Sequence, residues 1–490
     1  MALTRYGELR NQLMRESFPT VFAPVVVRDA DSNYVPIPIT ERLVQCIWYD
    51  QRLNPDSLCT TDGRPVRVIF HGWWNLEAGP DFKRATVQLG DEPEHAGDVE
   101  VHLRAEDWDH HGHEHDPQFN DVILHVVLWE AGSQRVPRTR AGQILPQVVL
   151  QHQLDATLEQ LHDEIDLDSY PHNVGNHQGQ CAEVLQGLPS DSIAALLDAA
   201  GDERFATKVR RFSRWIHRAG PEQAFYEGWM EALGYKANKT AFRTLARRVP
   251  LAELAEHRAR LAPILFGTAN FLPTGAPPAR GTAAARHVKR LWNAWWKLRP
   301  DFEDRILPVQ TWQSGAVRPA NHPHRRLGAA IALLKKHPHF MEKVVGAVES
   351  GGDPAKFFAE IRDEYWSYHF TLGGKTQSRG SELIGASRAR EIVANIVLPF
   401  VAAYALDRGD ETLGQAARVR YAWLPAAPSN NIVRLASGQL FGRPSTARRF
   451  VKTSRQQQGL MQVFQDFCLN DKSVCRRCLF PSLVGRWMKV

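Results

Sequence analysis

Apolar positions change their rhythm along the chain. Up to about residue 150 they alternate or form short continuous runs, and beyond it they recur every three or four residues. The first rhythm predicts strands at 64–70 (RPVRVIF), 84–89 (RATVQL), 97–104 (GDVEVHLR), 121–130 (DVILHVVLWE) and 143–150 (QILPQVVL). One helix precedes them, at 38–53, with Thr40 as its N-cap and Leu43, Val44, Ile47 and Trp48 on one face. The second rhythm predicts helices from Ser190, a candidate cap, to about 220, and again at 222–235, 238–267 and 284–298. The Gly- and Pro-rich stretches 274–286 and 373–382 read as connections, and 455–481 as a helix entering a cysteine-bearing loop. No repeat of solenoid period is present. The fold class expected is α+β. A mixed α/β module covers 1–150, a mainly helical region 151–400, and a helical segment with clustered cysteines 401–490.

Composition narrows this further. Hydrophobic residues make up 43% and charged residues 23%, the usage of a globular chain with a sizeable core. No apolar run approaches the ~18 residues of a membrane helix. The first residues, MALTRYGELRNQLMRESFP, lack the apolar centre of a secretory leader. Six cysteines among 490 residues are too few for a disulfide scaffold, so the expected compartment is the cytoplasm and no membrane partner is expected. The net charge of +6 conceals a division. The first 200 residues carry 14 basic and 31 acidic side chains, and the remaining 290 carry 46 and 23. A basic half of this kind suits nucleic acid, although two regions attracting each other or plain solvated faces give the same totals.

The densest chemistry lies between residues 71 and 130. Glu77 and Asp81 sit in a Gly-Pro turn entering a strand, and Asp98, Glu100 and His102 share one face of the next strand because alternate residues point the same way. Three polar groups on one strand face are costly to bury unless something satisfies them, and a divalent metal would. The polar stretch that follows, AEDWDHHGHEHDPQF, adds His110, His111, His113, His115 and Asp116. Of these, His110, His113 and His115 are candidate metal ligands with Asp81, Glu100 and Asp98. His125, inside an apolar strand, reads as a core histidine, and Trp108 as a packing anchor. A solvent-facing sheet beneath a solvated polar loop would show the same residues.

Cys468, Cys475 and Cys478 form C-x6-C-x2-C, half of all the cysteines within eleven positions. Two thiolates at C-x2-C spacing reach one ion, so Zn²⁺ or a [4Fe–4S] cluster is expected. Cys181 is the candidate fourth ligand, with His172 or His177 as alternatives. Cys46 reads as core and Cys59 as a turn thiol. In the basic region Arg210, Arg211, Arg247, Arg248, Lys289, Arg290, Arg325 and Arg326 interleave with Trp and Phe. Such a mixture suits phosphate contact and base stacking, and it equally suits amphipathic helices with arginine outside.

Pro80-Asp81 followed by Glu100-Val101-His102 resembles the PD-(D/E)-x-K phosphodiesterase pattern, in which Pro-Asp opens the second strand and acid-x-Lys lies on the third. That resemblance implies a nuclease-like module holding Mg²⁺ or Mn²⁺ on Asp81 and Glu100. His102 would stand in the lysine position as base or third ligand, with Glu77, Asp98 and Glu41 as further acids. Two departures are the histidine itself and a short polar stretch at 105–121 where that fold places a helix. The segments ERLVQCIWYDQ, WWNLEAGPDFKRATVQLG, ILFGTANFL and RPANHPHRRLGAAIALL, with the closing cysteines, resemble the bacterial domain of unknown function 2851 family nearly end to end. The function expected is metal-dependent nucleic-acid processing. A non-catalytic nucleic-acid- or protein-binding scaffold and a small-substrate metallohydrolase stand as alternatives.

Overall fold

The helix expected ahead of the strands forms at Glu41–Tyr49 (α2), after an N-terminal helix at Arg5–Ser17 (α1). The Thr40 side chain accepts the Leu43 N–H, and Leu43, Val44, Ile47 and Trp48 are buried. Between the helices lies an antiparallel pair, Phe22–Arg28 (β1) and Tyr34–Thr40 (β2), with Phe22 opposite Thr40. Prolines at 24, 36 and 38 remove ladder donors and hide these strands from a sequence reading. The computed structural model describes residues 4–17, 22–28, 34–130, 136–171, 181–275, 277, 282–315, 317–469 and 478–489.

The chain forms two compact units, 1–204 together with 429–490, and 205–428. Composition draws its lines at 150 and 400 because it follows the change from strand to helix, whereas units follow shared cores. The first boundary falls inside a 30-residue helix, Ser190–Ala219.

In the first unit a six-stranded sheet has the order β3 (Val66–Phe70), β5 (Phe82–Leu89), β6 (His95–Arg104), β7 (Val122–Trp129), β8 (Gln147–Val149), with β4 (Trp73–Trp74) also pairing β5. β3, β5 and β6 run antiparallel, and β6, β7 and β8 run parallel. One face brings Val99, Val101, Leu103, Leu124, Val126 and Leu128 into a core shared with α2. Alternation then puts Asp98, Glu100 and His102 on the opposite face. A parallel pair needs a crossover of a dozen residues or more. Here it is the segment 105–121, built from a one-turn helix (α3, Asp107–His110) and two 3₁₀ turns, His113–His115 and Pro117–Phe119. Gly97 lets β6 and β7 approach, since a Cβ there would lie 2.3 Å from Ile123 Cγ2 and 2.7 Å from the Asp121 carbonyl oxygen.

The same unit has a second core, formed by α1, Cys181, the first part of Ser190–Ala219 and the helices Asn431–Phe441, Ser454–Phe467 and Phe480–Trp487. A buried polar cluster ties it together. Tyr6 Oη donates to Asp466 at 2.8 Å, and Arg10 bridges Asp466 and Glu203. Gly459 sits where a Cβ would be 1.9 Å from the Leu197 carbonyl oxygen, so only glycine allows this helix crossing.

The second unit is helical, with Phe212, Phe225, Trp229 and Phe400 in its core. Against the sequence reading, which found no apolar run of membrane length, its helix Ala386–Arg408 is long and apolar enough to cross a membrane by length and composition, but 72% of its apolar window is buried inside the fold. Such burial is what a core helix shows. The irregular segment 360–385 is held by Arg325. Its guanidinium donates to the carbonyl oxygens of Trp366 (2.6 Å), His369 (3.1 Å), Ser381 (3.2 Å) and Glu382 (3.0 Å) and to Ser381 Oγ (2.7 Å).

Candidate metal centre

The crossover folds back over the polar face of the sheet. Trp108, Phe119, Val122 and Leu145 form a small core that pins it there, and Trp108 Nε1 donates to the Arg138 carbonyl oxygen. Gly112, at φ 72° in the left-handed region, turns the chain sharply between α3 and the first 3₁₀ turn. This turn delivers His111 and His113 toward His102. The three imidazoles offer ring nitrogens that all lie within 4.8 Å of one another.

The contacts are closer than that limit. His111 Nδ1 lies 3.1 Å and His113 Nε2 3.3 Å from His102 Nε2. Glu100 Oε1 lies 3.4 Å from His102 Nε2 and 3.3 Å from His113 Nε2. A ring nitrogen carries one proton or one lone pair, so His102 Nε2 cannot satisfy three such neighbours by hydrogen bonding. A cation can. Donors at ~2.05 Å from a tetrahedral ion stand about 3.3 Å apart, and His111 Nδ1 and His113 Nε2 lie near that distance from His102 Nε2. His102 is fully buried and His113 is 9% exposed, whereas His111 lies at the surface. The cluster is therefore open on the His111 side.

Behind His102 runs a chain of buried groups. His102 Nδ1 is 2.8 Å from His125 Nε2, and His125 Nδ1 is 3.0 Å from the Gln147 amide. Burial, followed by His113 and His111, pushes the His125 imidazole down to about 3, so it stays neutral. For His102 to ligate through Nε2 its proton must sit on Nδ1 and be donated to His125 Nε2, which puts the His125 proton on Nδ1 and calls for the Gln147 amide oxygen where the nitrogen is placed. The sequence reading of His125 as a core residue holds, but its contact with His102 is not visible in the sequence.

The acids divide among different tasks. The Asp81 carboxylate accepts from Gln45 Nε2 (3.0 Å) and the Val101 N–H (3.2 Å), and its own N–H donates to Glu100 Oε2 at 2.8 Å. Asp81 is not among the three-imidazole group, and it steadies Glu100 from behind. Asp98 accepts from Lys83 Nζ at 2.7 Å and from the Arg84 N–H at 3.1 Å. Glu77 is exposed in the 75–81 turn. His110 faces Asp107 at 3.7 Å and His115 faces Glu114 at 3.4 Å, both well exposed. The cluster thus takes His111 and His113 from the crossover and leaves His110 and His115 outside.

Asp107 supports the crossover at a cost that depends on pH. It is 1% exposed, its Oδ2 accepts the Arg104 N–H, and burial pushes its pKa up from 3.8 to about 6. A folded-state pKa above the unfolded value favours the protonated fold. Its contribution is full below about 3.8 and is lost as pH rises through about 6. Asp107→Asn removes this titration. In urea melts with a chelator present, the variant should gain on wild type steadily between pH 4 and 7. A constant difference across that range would refute the assignment.

The cysteines and arginines lie elsewhere. Cys181, Cys468 and Cys478 all contribute to the second core of the first unit, Cys181 within it and the other two packed against it. Cys475, His172 and His177 lie outside the described residues. Cys46 is buried on α2 as expected. Arg325 and Arg326 are 1% and 5% exposed, and Arg326 donates to the Leu383 carbonyl oxygen and to Asn321. Arg210 is buried. Arg211 pairs with Glu231 (3.2 Å) and Arg247 with Glu227 (2.9 Å), while Arg248 donates to the carbonyl oxygens of Arg305 and Ile306. Lys289 lies over the Trp292 ring at 4.7 Å, and Arg290 is exposed.

No curated protein and no solved structure matches the chain. The family described as "Protein of unknown function (DUF2851)" matches residues 41–429, from the first residue of α2 to the start of the chain's return into the first unit. That match takes in the sheet, the crossover and all of the imidazole cluster, and by it the chain belongs to the DUF2851 family.

Proposed function

We propose that the sheet unit is a metal-dependent hydrolase of nucleic-acid phosphodiester bonds, with its ion held by His102, His111 and His113 and with Glu100 beside His102 and His113. The observation that carries this reading is the gathering of three ring nitrogens within 4.8 Å of one another, with His111 Nδ1, His113 Nε2 and Glu100 Oε1 at 3.1, 3.3 and 3.4 Å from His102 Nε2. Imidazole-rich donors take a zinc-like transition ion before magnesium. An ion held there supplies charge to polarise a phosphoryl oxygen and to acidify water. The chain's own groups do the rest. Glu100 Oε1 faces the ring nitrogens and can take the proton of an attacking water, while the Asp81 N–H holds the other oxygen in place. His111 leaves the face open to a substrate too large to be engulfed. The position of Pro80-Asp81 at the head of β5 and of Glu100 within β6, after α2, β3 and the two-residue β4, supports phosphodiester chemistry by resemblance.

Metal analysis of the purified chain tests this, followed by incubation of the zinc- or manganese-loaded protein with labelled single- and double-stranded DNA and RNA. One equivalent of transition ion and chelator-sensitive cleavage are expected. An ion bound without cleavage of any strand would make the protein a scaffold. The same analysis reports on the cysteines, for which a structural Zn²⁺ or iron–sulfur cluster at Cys181, Cys468, Cys475 and Cys478 remains our proposal. Its support is that three of the four border one core.

A further inference from the structure

Beside the metal centre, β5 breaks its ladder. Phe82 pairs with Val99 and Ala85 with Gly97, so Lys83 and Arg84 together oppose the single residue Asp98. This is a two-against-one β-bulge, a device that re-aims side chains next to sites. Arg84 adopts φ 57°, a left-handed conformation that a long side chain enters only when its surroundings enforce it. Asp98 enforces it. One carboxylate oxygen takes the Arg84 N–H at 3.1 Å, and the other takes Lys83 Nζ at 2.7 Å. The outcome is two neighbouring cations against one acid. The Arg84 side chain is exposed, and no carboxylate among the described residues pairs with it.

An exposed ring stands next to this pair. Trp73 lies directly across from Lys83 in the β4–β5 register and is 68% exposed, with Phe70 edge-on at 5.3 Å. Its indole presents a bare ring face to solvent on the strand that pairs with the bulge. The same patch reaches the metal centre. Lys83 Nζ and Gln118 Oε1 lie 3.8 and 3.2 Å from the point where Gly79 would carry a Cβ, and Phe119, the residue after Gln118, stacks on His113 at 3.8 Å.

We infer that the Lys83–Arg84 bulge and Trp73 form a grip for single-stranded nucleic acid. The cations take the backbone phosphates and the indole stacks an unpaired base. Cations beside an exposed aromatic ring are the pairing that single-strand binding uses, and a duplex offers no free base face to the ring. As a substrate assignment the inference rests on the hydrolase reading. As a binding site it does not, and the test separates the two.

Fluorescence anisotropy with labelled oligo(dT), oligo(U) and a duplex of equal length, in the presence of a chelator, measures binding without turnover. Wild type is expected to prefer single strands. Trp73→Ala should weaken them by about tenfold, and Trp73→Phe should restore most of the affinity. Arg84→Gly should also weaken binding and lower the slope of log affinity against log salt by about 0.7. Because glycine accepts the bulge conformation, the same variant should unfold at higher temperature than wild type, so its loss of binding cannot be ascribed to misfolding. Metal content should be unchanged in all three variants. Wild type that binds no oligonucleotide, variants that bind as wild type does, or a duplex bound equally well without regard to Trp73 would each overturn the grip. Single strands bound but never cleaved would instead overturn the hydrolase reading and leave the grip standing.

Discussion

His102→Ala is expected to abolish transition-ion binding and, under the proposed function, to bring phosphodiester cleavage below a hundredth of the wild-type rate, a loss of about 2.7 kcal/mol or more. The argument is geometric. His102 Nε2 is the atom to which His111, His113 and Glu100 all turn, at 3.1, 3.3 and 3.4 Å, so its removal takes away the shared vertex of the site. His102 is also fully buried, and alanine leaves a hole against His125. His111, the surface member of the proposed centre, removes that ambiguity. His111→Ala should lose the ion and the activity while its chelator-treated form unfolds at the wild-type urea concentration. His115→Ala, at a side chain 82% exposed and outside the cluster, should change neither. If His111→Ala kept both metal and turnover, the three-imidazole centre would be refuted.

The largest loss of stability is expected in the second unit, at Arg325. Five oxygens of the 360–385 segment converge on one guanidinium that is 1% exposed. Burial lowers the pKa of Arg325, so the fold already bears a desolvation cost that only these bonds offset. Arg325→Met would strand buried carbonyl oxygens without donors, and a cost on the order of 3 kcal/mol or more follows. Arg325→Lys retains the charge but offers three donors from a single nitrogen to oxygens that the planar fork reaches with two, so it should be intermediate. Urea unfolding followed by near-ultraviolet circular dichroism checks this, with proteolysis at 366–383 as a local readout. A methionine variant with an unchanged midpoint would show that the segment is held by other means.

How much of this the sequence showed depends on the range of the interaction involved. The α2 helix and its Thr40 cap, five of the six strands of the sheet and the alternation of Asp98, Glu100 and His102 are local patterns, and they appear where periodicity put them, while the two-residue β4 is too short to show. The imidazole pair was harder. Four histidines within six residues are equivalent in composition, and the left-handed turn at Gly112 is what selects His111 and His113 over His110 and His115. A glycine between two histidines was the available signal. Gln45, Gln147 and Lys83 gave none, because their partners Asp81, His125 and Asp98 are 36, 22 and 15 residues away. The same limit explains the arginines. An Arg that caps buried carbonyl groups and an Arg that waits for phosphate look alike in a string of letters. Only burial tells Arg325 from Arg84.

The hydrogen bond between Tyr6 and Asp466 spans 460 residues of chain. During synthesis, α1 leaves the ribosome long before the helix that holds its partner exists. The core it shares with Leu460, Phe464 and Leu483 therefore closes only after everything between has been made. Until then its apolar face is a surface that a holding chaperone would recognise. A chain stopped short of Ser454 would lose this core at its beginning as well as at its end.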